Sequence, residues 1–318
     1  MQLRKIGLLV LVLSFVCVVD SVPAADVQIQ QEGNTYIVTV DGQAFAEVDC
    51  KTYAKPIVYP ILGPDQMPMT RNRPMKEVQG EADDHPHHKS MWFAHGDING
   101  FSFWDEKAII KNESSTIDSS ADVPTVVLKN RLESKDGQLV GTETARISFL
   151  AGEGVRMIDW DHTYHASEGE LKFGDTKEGM MAIRTHSSLR LKNGRGVTTA
   201  NGQAVNSNGE SGPGIWGKPA KWVDYSGKID DKLVGIAIFD APTNHGHPSH
   251  WHARDYGLVA ANPFGLHDFV GAGHDGTLTL PAGESLHFHY RFVFHQGNAE
   301  DAKIAELYEA FAAEPASK

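Results

Sequence analysis

The dominant pattern along the chain is an alternation of apolar and polar positions with a period of two. Its clearest case covers 286–295, where Leu, Phe, Tyr, Phe and Phe alternate with His, His, Arg, Val and His. This alternation predicts a strand with one buried face. Similar stretches, separated by turns rich in glycine, asparagine and proline, predict further strands at 35–40, 44–48, 125–128, 139–149, 155–165, 183–191, 194–199, 233–239 and 277–280.

One segment near the C-terminus has the residue spacing of an amphipathic helix. A helix is predicted over 298–311, with Asn298 as its N-cap and with a buried face formed by Ile304, Leu307, Tyr308 and Phe311. Many strands with short connections predict an all-β fold, a large antiparallel two-sheet supersandwich with a short C-terminal helix. We interpret 26–318 as a single β-sandwich domain.

The first 25 residues have the pattern of a secretory signal peptide. Two basic residues precede an apolar run over 6–19 that is too short for a comfortable membrane span, and small residues follow at 24–25. We therefore predict a periplasmic or secreted protein, with residues 1–25 removed as a signal peptide. Removal would leave Cys50 as the one cysteine, which we predict to be a small buried residue rather than a nucleophile.

The charge of the chain bears on its partners. The 318 residues carry a formal net charge of −12 and contain no tract rich in lysine or arginine. An acidic surface disfavours nucleic acid and anionic membrane as partners. P-loop, dinucleotide-binding and Gly-x-Ser-x-Gly sequences are absent as well, which argues against nucleotide-dependent enzymes and the usual serine hydrolases.

Residues 84–104 are the first candidate site, because they contain four histidines, two aspartates, two tryptophans and two glycines. Histidine exchanges protons near neutral pH, and tryptophan offers a flat apolar face on which a sugar ring can stack. We predict acid–base roles for His88 and His95, and substrate contacts for Trp92, Asp97 and Trp104. The alternative is a folded loop whose histidines bind backbone groups.

A second loop of the same unusual composition covers 244–257. It supplies His252 as a candidate catalytic residue, and its candidates for substrate binding are Trp251, Arg254, Asp255 and Tyr256. We predict that the fold brings this loop and 84–104 to one end of the sandwich. The alternative is two separate surface loops.

A third segment, 173–184, contains closely spaced charges just before a predicted strand. Asp175 or Glu178 could act as general acid or base, and Arg184 could stabilise developing negative charge. The alternative is a charged turn with a local ion pair between Lys177 and Glu178.

The histidines also leave a metal site open as a hypothesis. His85, His87, His245 and His247 are the candidate ligands for a divalent metal, since two or three imidazoles with a carboxylate suit first-row metals. No His-Glu-x-x-His sequence is present to define such a site. The preferred interpretation requires no cofactor.

The three segments together resemble a family of secreted bacterial proteins, the PmoA family, also called "methane oxygenase". The resemblance rests on 84–104, on 175–179 with Arg184, and on 250–257 with 262–265, and it covers nearly the whole mature chain. We interpret the name as misleading, because a membrane-bound monooxygenase subunit crosses the bilayer several times and the mature chain has no spanning segment.

A weaker similarity connects the chain to galactose mutarotases. His95-Gly96, Gly100-Phe101 and Trp104 resemble part of the pattern of those enzymes, although Asp97 stands where they have a second glycine. The similarity implies a supersandwich fold and a histidine acid with a carboxylate base acting on a pyranose. Only His95 and Trp104 can be carried over residue by residue.

These observations favour a carbohydrate-active enzyme that uses histidine and carboxylate acid–base chemistry in hydrolysis, elimination or epimerisation of a sugar or glycoside. Two alternatives remain at this stage. One is a metal-dependent hydrolase or oxygenase, and the other is a glycan-binding module without catalytic activity.

Overall fold

The computed structural model describes residues 25–315. Within them lie the strands β1 (Val27–Glu32), β2 (Thr35–Val40), β3 (Gln43–Asp49), β4 (Ile57–Ile61), β5 (Met91–Phe93), β6 (Ala108–Ile117), β7 (Thr125–Ser134), β8 (Leu139–Gly152), β9 (Val155–His165), β10 (Leu171–Phe173), β11 (Met181–Arg184), β12 (Gln203–Asn206), β13 (Trp222–Ile229), β14 (Lys232–Asp240), β15 (His250–Trp251), β16 (Leu258–Asn262), β17 (Leu278–Leu280) and β18 (Ser285–Gln296). Two α-helices, α1 (Leu266–Phe269) and α2 (Ile304–Ala312), and short 3₁₀ segments at Pro64–Gln66, Ser187–Leu189 and Gly212–Ile215 complete the regular elements.

The strands form two large antiparallel sheets. The first sheet has the order β1-β2-β3-β4-β5-β11-β16-β15, and the second has the order β12-β13-β14-β18-β9-β8-β7-β6. A ribbon of β10 and β17 stands apart from both. The predicted all-β fold, an antiparallel two-sheet sandwich with a short C-terminal helix, is confirmed. The division into one domain over 26–318 stays a prediction.

The two sheets enclose an aromatic core. Phe45 of β3 packs edge-to-face on Phe149 of β8 and Phe294 of β18. Nearer the centre, Phe93 of β5 stacks on the ring of His162 of β9, with 3.8 Å between ring centroids. Strand alternation places every second residue of these strands in this core and leaves the others for the outer faces.

Most predicted strands are present, but two predictions are wrong. The strand predicted over 183–191 ends at Arg184, because 187–189 form a turn of 3₁₀ helix in which the backbone N–H of Ser188 donates to Nδ1 of His186. The strand predicted over 194–199 is reduced to one isolated bridge between Gly194 and Val197.

The C-terminal helix is shorter than predicted. The side chain of Asn298 does accept hydrogen bonds from the N–H groups of Glu300 and Asp301, but it caps a turn rather than α2. Lys303 has a φ of 52°, which interrupts regular helix there, and α2 begins at the next residue. Its buried face packs on the second sheet through Ile304, Tyr308 and Phe311.

Two further predictions concern the ends of the chain and its cysteine. The predicted signal peptide lies almost entirely outside the described residues, and its cleavage and the resulting location stay predictions. Between residues 25 and 315, no helix has the length and apolar character needed to cross a membrane. Cys50 is 1% exposed, and burial raises the pKa of its thiol to about 11, so it is buried as predicted.

Candidate functional site

The candidate site lies on the outer face of the first sheet. Ala182 of β11 is opposite both Trp92 of β5 and Ala260 of β16, so these three residues share one face. The neighbouring Phe93 points the other way, into the core between the sheets. Loops that carry the histidines cover the outer face, and the segments 84–104 and 244–257 therefore meet the same sheet.

A layer of buried charged side chains lies over this face. Oδ1 of Asp84 accepts hydrogen bonds from Nη1 of Arg71 and Nη2 of Arg184, each at 2.8 Å. Burial opposes ionisation of Asp84, but the pairing with His85, Arg184 and Arg71 outweighs it and holds the pKa of this carboxyl well below its usual range. Asp84 is therefore a carboxylate that fixes two cations.

Four rings form a continuous stack beside this layer. Tyr256 stacks on His85 with 5.2 Å between centroids, His85 on His88 with 4.7 Å, and His88 on Trp92 with 5.3 Å. The stack joins the loop 244–257 to the loop 84–104. The two loops therefore come together as predicted, but over the outer face of the first sheet rather than at one end of the sandwich.

His88 has a buried and neutral ring. Nη1 of Arg184 lies 3.1 Å from Nδ1 of His88, and because a guanidinium can only donate, the proton of the neutral ring belongs on Nε2. Burial, followed by the charge of Arg184, lowers the pKa of His88 well below its usual value. Since its side chain is 1% exposed, His88 supports the stack and is enclosed from substrate.

His85 presents the accessible ring edge of the stack. Its Nδ1 lies 2.9 Å from Oδ2 of Asp84, within ion-pair distance of the carboxylate. Its side chain is 37% exposed, and its backbone has a φ of 47°. A residue other than glycine held in the left-handed region is strained, and such strain is found often at functional sites.

Glu178 follows β10 and lies against Gly96. A Cβ atom at position 96 would come within 2.8 Å of both Cβ and the carbonyl oxygen of Glu178, so the absence of a side chain there permits the approach. Burial raises the pKa of Glu178, and the charge of Asp105 adds to the rise. The carboxylate is still 31% exposed, with Nζ of Lys177 at 3.7 Å from Oε1.

Five partly exposed titratable groups of these loops lie within electrostatic range of one another. The charges of Asp105 and His85 act on the pKa of Glu178, and the same two groups act on His87. Tyr256, whose ring stacks on His85, also feels the charge of Glu178. We call these five residues, which are His85, His87, Asp105, Glu178 and Tyr256, the histidine cluster.

Two lysines bind the loop at 105–106 next to the histidine cluster. Glu106 accepts hydrogen bonds from Nζ of Lys55 at 2.7 Å and from Nζ of Lys89 at 2.6 Å. Lys55 also donates to the backbone carbonyl of His87 at 3.1 Å. His87 itself lies 3.7 Å from Asp105, and burial lowers its pKa to about 4.

His95 lies in the protein interior. Its side chain is fully enclosed, and its Nε2 lies 2.9 Å from the carbonyl oxygen of Gly174, which fixes the proton of the neutral ring on Nε2. Its ring packs on Phe173 and Phe264. Burial lowers the pKa of His95 to about 4. These contacts oppose the predicted acid–base role, because the ring is enclosed on all sides.

The predicted tryptophan platforms are also enclosed. Trp92, Trp104 and Trp251 are each 0% exposed, so none offers a ring face to a sugar. Trp92 and Trp104 pack on each other at 5.1 Å, and Trp251 donates to the carbonyl oxygen of Ala220 at 2.9 Å. The three rings serve the packing of the sheet, which corrects the prediction that they bind substrate.

Two predicted carboxylates bind backbone instead. Asp175 accepts hydrogen bonds from the N–H groups of His267 and Gly276, which ties the segment 173–184 to the loop after β16. Asp97 accepts from the N–H of Gly100 at 2.8 Å and so closes its own turn. Glu178 is therefore the carboxylate of these segments that remains available for chemistry.

The loop 244–257 contributes only part of its length to the cluster. Arg254 lies over the ring of Tyr256 at 5.4 Å, while Asp255 pairs with Lys192. His252 is 2% exposed, and burial together with the charge of Arg254 lowers its pKa to about 3. His252 is therefore enclosed and neutral.

The four proposed metal ligands do not converge. His247 pairs with Asp240 at 2.9 Å, and His245 stacks on Phe264 at 5.5 Å. His85 and His87 lie in the histidine cluster. Across residues 25–315, no group of three or more His, Cys, Asp and Glu side chains is arranged to hold a metal ion. The predicted metal ligand set is therefore not formed.

Sequence reasoning missed several residues of this region. Arg71, Lys55, Lys89, Asp105 and Glu106 have no local pattern that sets them apart from ordinary surface charges. Only the positions of Lys89, Asp105 and Glu106, within or next to the histidine-rich segment, gave any signal. The tertiary fold brings Arg71 and Lys55 in from other loops.

The chain is similar to solved structures of sugar epimerase-like proteins only at very low sequence identity. Two solved structures with a similar course of the chain are the galactose 1-epimerase of Lactobacillus acidophilus NCFM, at 9% identity, and a galactose mutarotase-like protein from Lactobacillus casei, at 8%. The first comparison covers 86% of this chain and 99% of the other with a TM-score of 0.36, and the second covers 85% and 100% with a TM-score of 0.33. At these values the similarities support no statement about activity.

No curated protein matches the chain. A family model described as a family of unknown function, DUF6807, matches residues 30–309. This match does not show the resemblance to the PmoA family, which stays a prediction. Because the matched range includes most of the chain and both sheets, the protein belongs to the DUF6807 family.

Proposed function

We propose that this protein is a carbohydrate-active enzyme that transfers protons to and from a sugar through Glu178 and His85. The observation that carries the proposal is the raised pKa of a partly exposed Glu178 within the same cluster as the exposed edge of His85. Perturbed ionisable groups that remain accessible are typical of acid–base sites.

Glu178 is the general acid of the proposed reaction. Burial favours the neutral carboxyl, so Glu178 keeps its proton to a higher pH than an ordinary glutamate and can donate it to an oxygen of the substrate. Gly96 fixes its position from one side, and Lys177 lies near its carboxylate. The lysine would stabilise the negative charge that remains after proton transfer.

His85 is the general base. The negative charge of Asp84 favours a proton on the nearby Nδ1, which leaves Nε2 as the basic nitrogen. Stacking between Tyr256 and His88 holds the ring in one plane. Asp84 is itself held by Arg71 and Arg184, so it remains a carboxylate when the imidazole accepts a proton.

Among the reactions open to one acid and one base, we propose ring opening of a reducing sugar, which requires no nucleophile from the protein or from water. His85 would accept the proton of the anomeric hydroxyl while the C1–O5 bond breaks and C1 becomes a carbonyl carbon. Glu178 would protonate O5 as it leaves. Rotation of the carbonyl and reversal of the steps give the other anomer, so the proposed reaction is epimerisation at the anomeric carbon.

The test is polarimetry of freshly dissolved sugars, with nitrophenyl glycosides in parallel to detect hydrolysis. We expect the wild-type protein to accelerate equilibration of at least one reducing sugar and Glu178→Gln to lose that acceleration. Glu306→Gln is the matched control, because Glu306 is exposed on α2 and distant in the fold from the cluster. Equal rates for Glu178→Gln and wild type would contradict the proposal, and binding without turnover by the wild type would indicate a glycan-binding module.

A further inference from the structure

A cleft lies on the outer face of the second sheet, whereas the histidine cluster lies over the first. Ser226 of β13 is opposite Gln203 of the edge strand β12, and strand alternation places Trp222 of β13 on the same face. Trp222 belongs to the apolar cluster that includes Ile304 of α2, which identifies this face as the outer one. The cleft has a volume of about 750 Å³ between β12 and the segment before α2, which is typical of small-molecule sites.

A second hollow extends this cleft. It has a volume of about 370 Å³ and shares Gln203, Ser226 and Asn298 with the first. Lys228 of β13 and Leu233 of β14 line its far part. The two hollows therefore form one elongated depression, which we call the β12 cleft and which suits a chain-like ligand better than a single small ring.

Several polar side chains of the β12 cleft are available to a ligand. Oδ1 of Asn298 accepts from the backbone N–H groups at 300 and 301, which leaves the Nδ2 group of this amide as a donor. The hydroxyl of Ser211 makes no capping hydrogen bond to the turn that follows it. The side chains of Gln203 and Ser226 make no hydrogen bond within residues 25–315, and their polar atoms are not enclosed. A ligand in the cleft would therefore meet amide and hydroxyl groups that donate and accept.

The remaining wall of the β12 cleft is mostly apolar and carries no net charge. Leu191 and Trp222 line the first hollow, and Leu233 in the second is 38% exposed. The charged side chains among the described lining residues are one carboxylate, that of Glu300, and one cation, that of Lys228. Such a wall favours an uncharged ligand that has both apolar surface and hydroxyl groups.

We propose that the β12 cleft binds a neutral oligosaccharide. A pyranose chain has hydroxyls that match the amide and hydroxyl groups of Gln203, Ser226 and Asn298, and C–H faces that pack on apolar side chains. A lipid would leave those polar groups without partners once water is displaced, which costs free energy for each group. An acidic chain would find a single cation, Lys228, along the whole cleft. This second sugar site is separate from the proposed catalytic groups and does not depend on the reaction assigned to them.

The first experiment uses only the wild-type protein. Calorimetric titration compares D-glucose with maltohexaose, cellohexaose and mannohexaose, and sodium oleate serves as an apolar probe. We expect at least one hexasaccharide to bind about tenfold or more tightly than glucose, because a chain occupies both hollows whereas one ring occupies part of one. Binding of oleate in preference to every hexasaccharide, or binding of none of the three, would overturn the proposal.

The second experiment locates the binding site. The variants are Gln203→Ala, the double variant Gln203→Ala/Ser226→Ala, and the control Gln30→Ala, which alters an exposed glutamine of β1 in the first sheet. We expect the affinity for the preferred hexasaccharide to fall about tenfold in the double variant, less in the single variant and not in the control, since each substitution removes a hydrogen-bonding group. Tm values verify folding, and Gln203→Ala alone suffices if the double variant is unstable, because the side chain of Gln203 is exposed. Wild-type affinity in Gln203→Ala would overturn the proposal.

The β12 cleft and the proposed reaction can fail separately. Hexasaccharide binding that depends on Gln203, without turnover of any sugar by the wild type, would support the cleft and contradict the proposed reaction. Turnover that depends on Glu178, with a hexasaccharide affinity that is independent of Gln203, would support the reaction and contradict the cleft.

Discussion

A 2.8 Å hydrogen bond joins Nη2 of Arg184, at the end of β11, to Oδ1 of Asp84, one hundred positions earlier in the chain. The same oxygen accepts from Arg71, so one carboxylate connects its own loop, the loop of Arg71 and the end of β11 over the outer face of the first sheet. Asp84 also faces Nδ1 of His85. The buried charge that stabilises the loops is therefore also the charge that orients the proposed base.

Asp84→Asn should destabilise the protein strongly. The substitution leaves Arg71 and Arg184 enclosed without their carboxylate, and removal of one member of a buried ion pair costs roughly 3–5 kcal/mol. Urea unfolding at neutral pH measures the loss. Because the side chain of Asp84 is 6% exposed, solvent does little to screen the unpaired cations.

Asp118→Asn provides the matched comparison. Asp118 pairs with Arg146 at 2.8 Å on the second sheet, where the arginine is partly exposed and water replaces the lost contact. We expect a much smaller loss of unfolding free energy than for Asp84→Asn. Similar losses for both variants would contradict the role assigned to the buried layer.

Gly96→Ala should displace Glu178 and reduce activity. The added methyl group would lie 2.8 Å from two atoms of Glu178, including a backbone carbonyl that cannot easily move aside. Misplacement of a catalytic group by about 1 Å can lower the rate on the order of a hundredfold. Gly214→Ala is the control, because nothing lies within 4 Å of the atom it would add. Polarimetric rates for both variants, with their Tm values, test this, and unchanged activity in Gly96→Ala speaks against the placement of Glu178.

Glu178→Gln should stabilise the protein at neutral pH. Burial raises the pKa of Glu178 in the folded state above its unfolded value. The folded state therefore binds the proton more tightly, and the associated stability is present at low pH and is lost as pH rises through the folded pKa. A neutral glutamine avoids that loss. Urea unfolding at pH 4 and pH 7 should show a variant advantage that grows with pH, and an advantage that shrinks would contradict the sign.

His95 should make the protein sensitive to moderate acid. Burial lowers its pKa from 6.5 to about 4, so the folded state favours the neutral ring. Stability is therefore lost as pH falls from the unfolded value of about 6.5 through the folded pKa. His95→Gln, which cannot be protonated, should lose less unfolding free energy than wild type between pH 6.5 and pH 4.5. Parallel curves for the two proteins would show that His95 does not contribute to the acid response.

The fold was predictable because local patterns determine it. The alternation over 155–165 and 286–295 corresponds to β9 and β18, which pair along almost their full length. The helix start was misplaced, because Asn298 has the chemistry of a cap but the backbone at Lys303 has a positive φ that sequence does not reveal. The helix propensity of this segment predicts that a helix is present, whereas the backbone conformation in the folded protein decides at which residue the helix begins.

The candidate site was predictable as a region and much less as a set of roles. Composition indicated 84–104 and 244–257, and the stack of His85 on Tyr256 joins them. Composition could not distinguish His95, which is enclosed, from His85, which is exposed, since both are histidines beside glycine or aspartate in an irregular segment. Exposure depends on which loops cover the sheet, and that is a property of the whole fold.

The most direct test of the central claim is the pH dependence of sugar epimerisation by wild type and Glu178→Gln, with binding of the same sugar measured alongside. The account predicts that the wild-type rate falls as pH rises through the raised pKa of Glu178, and that the variant binds the sugar but is slower by about a hundredfold or more and lacks this fall. A variant with the wild-type rate and the same pH profile would show that Glu178 is not the acid.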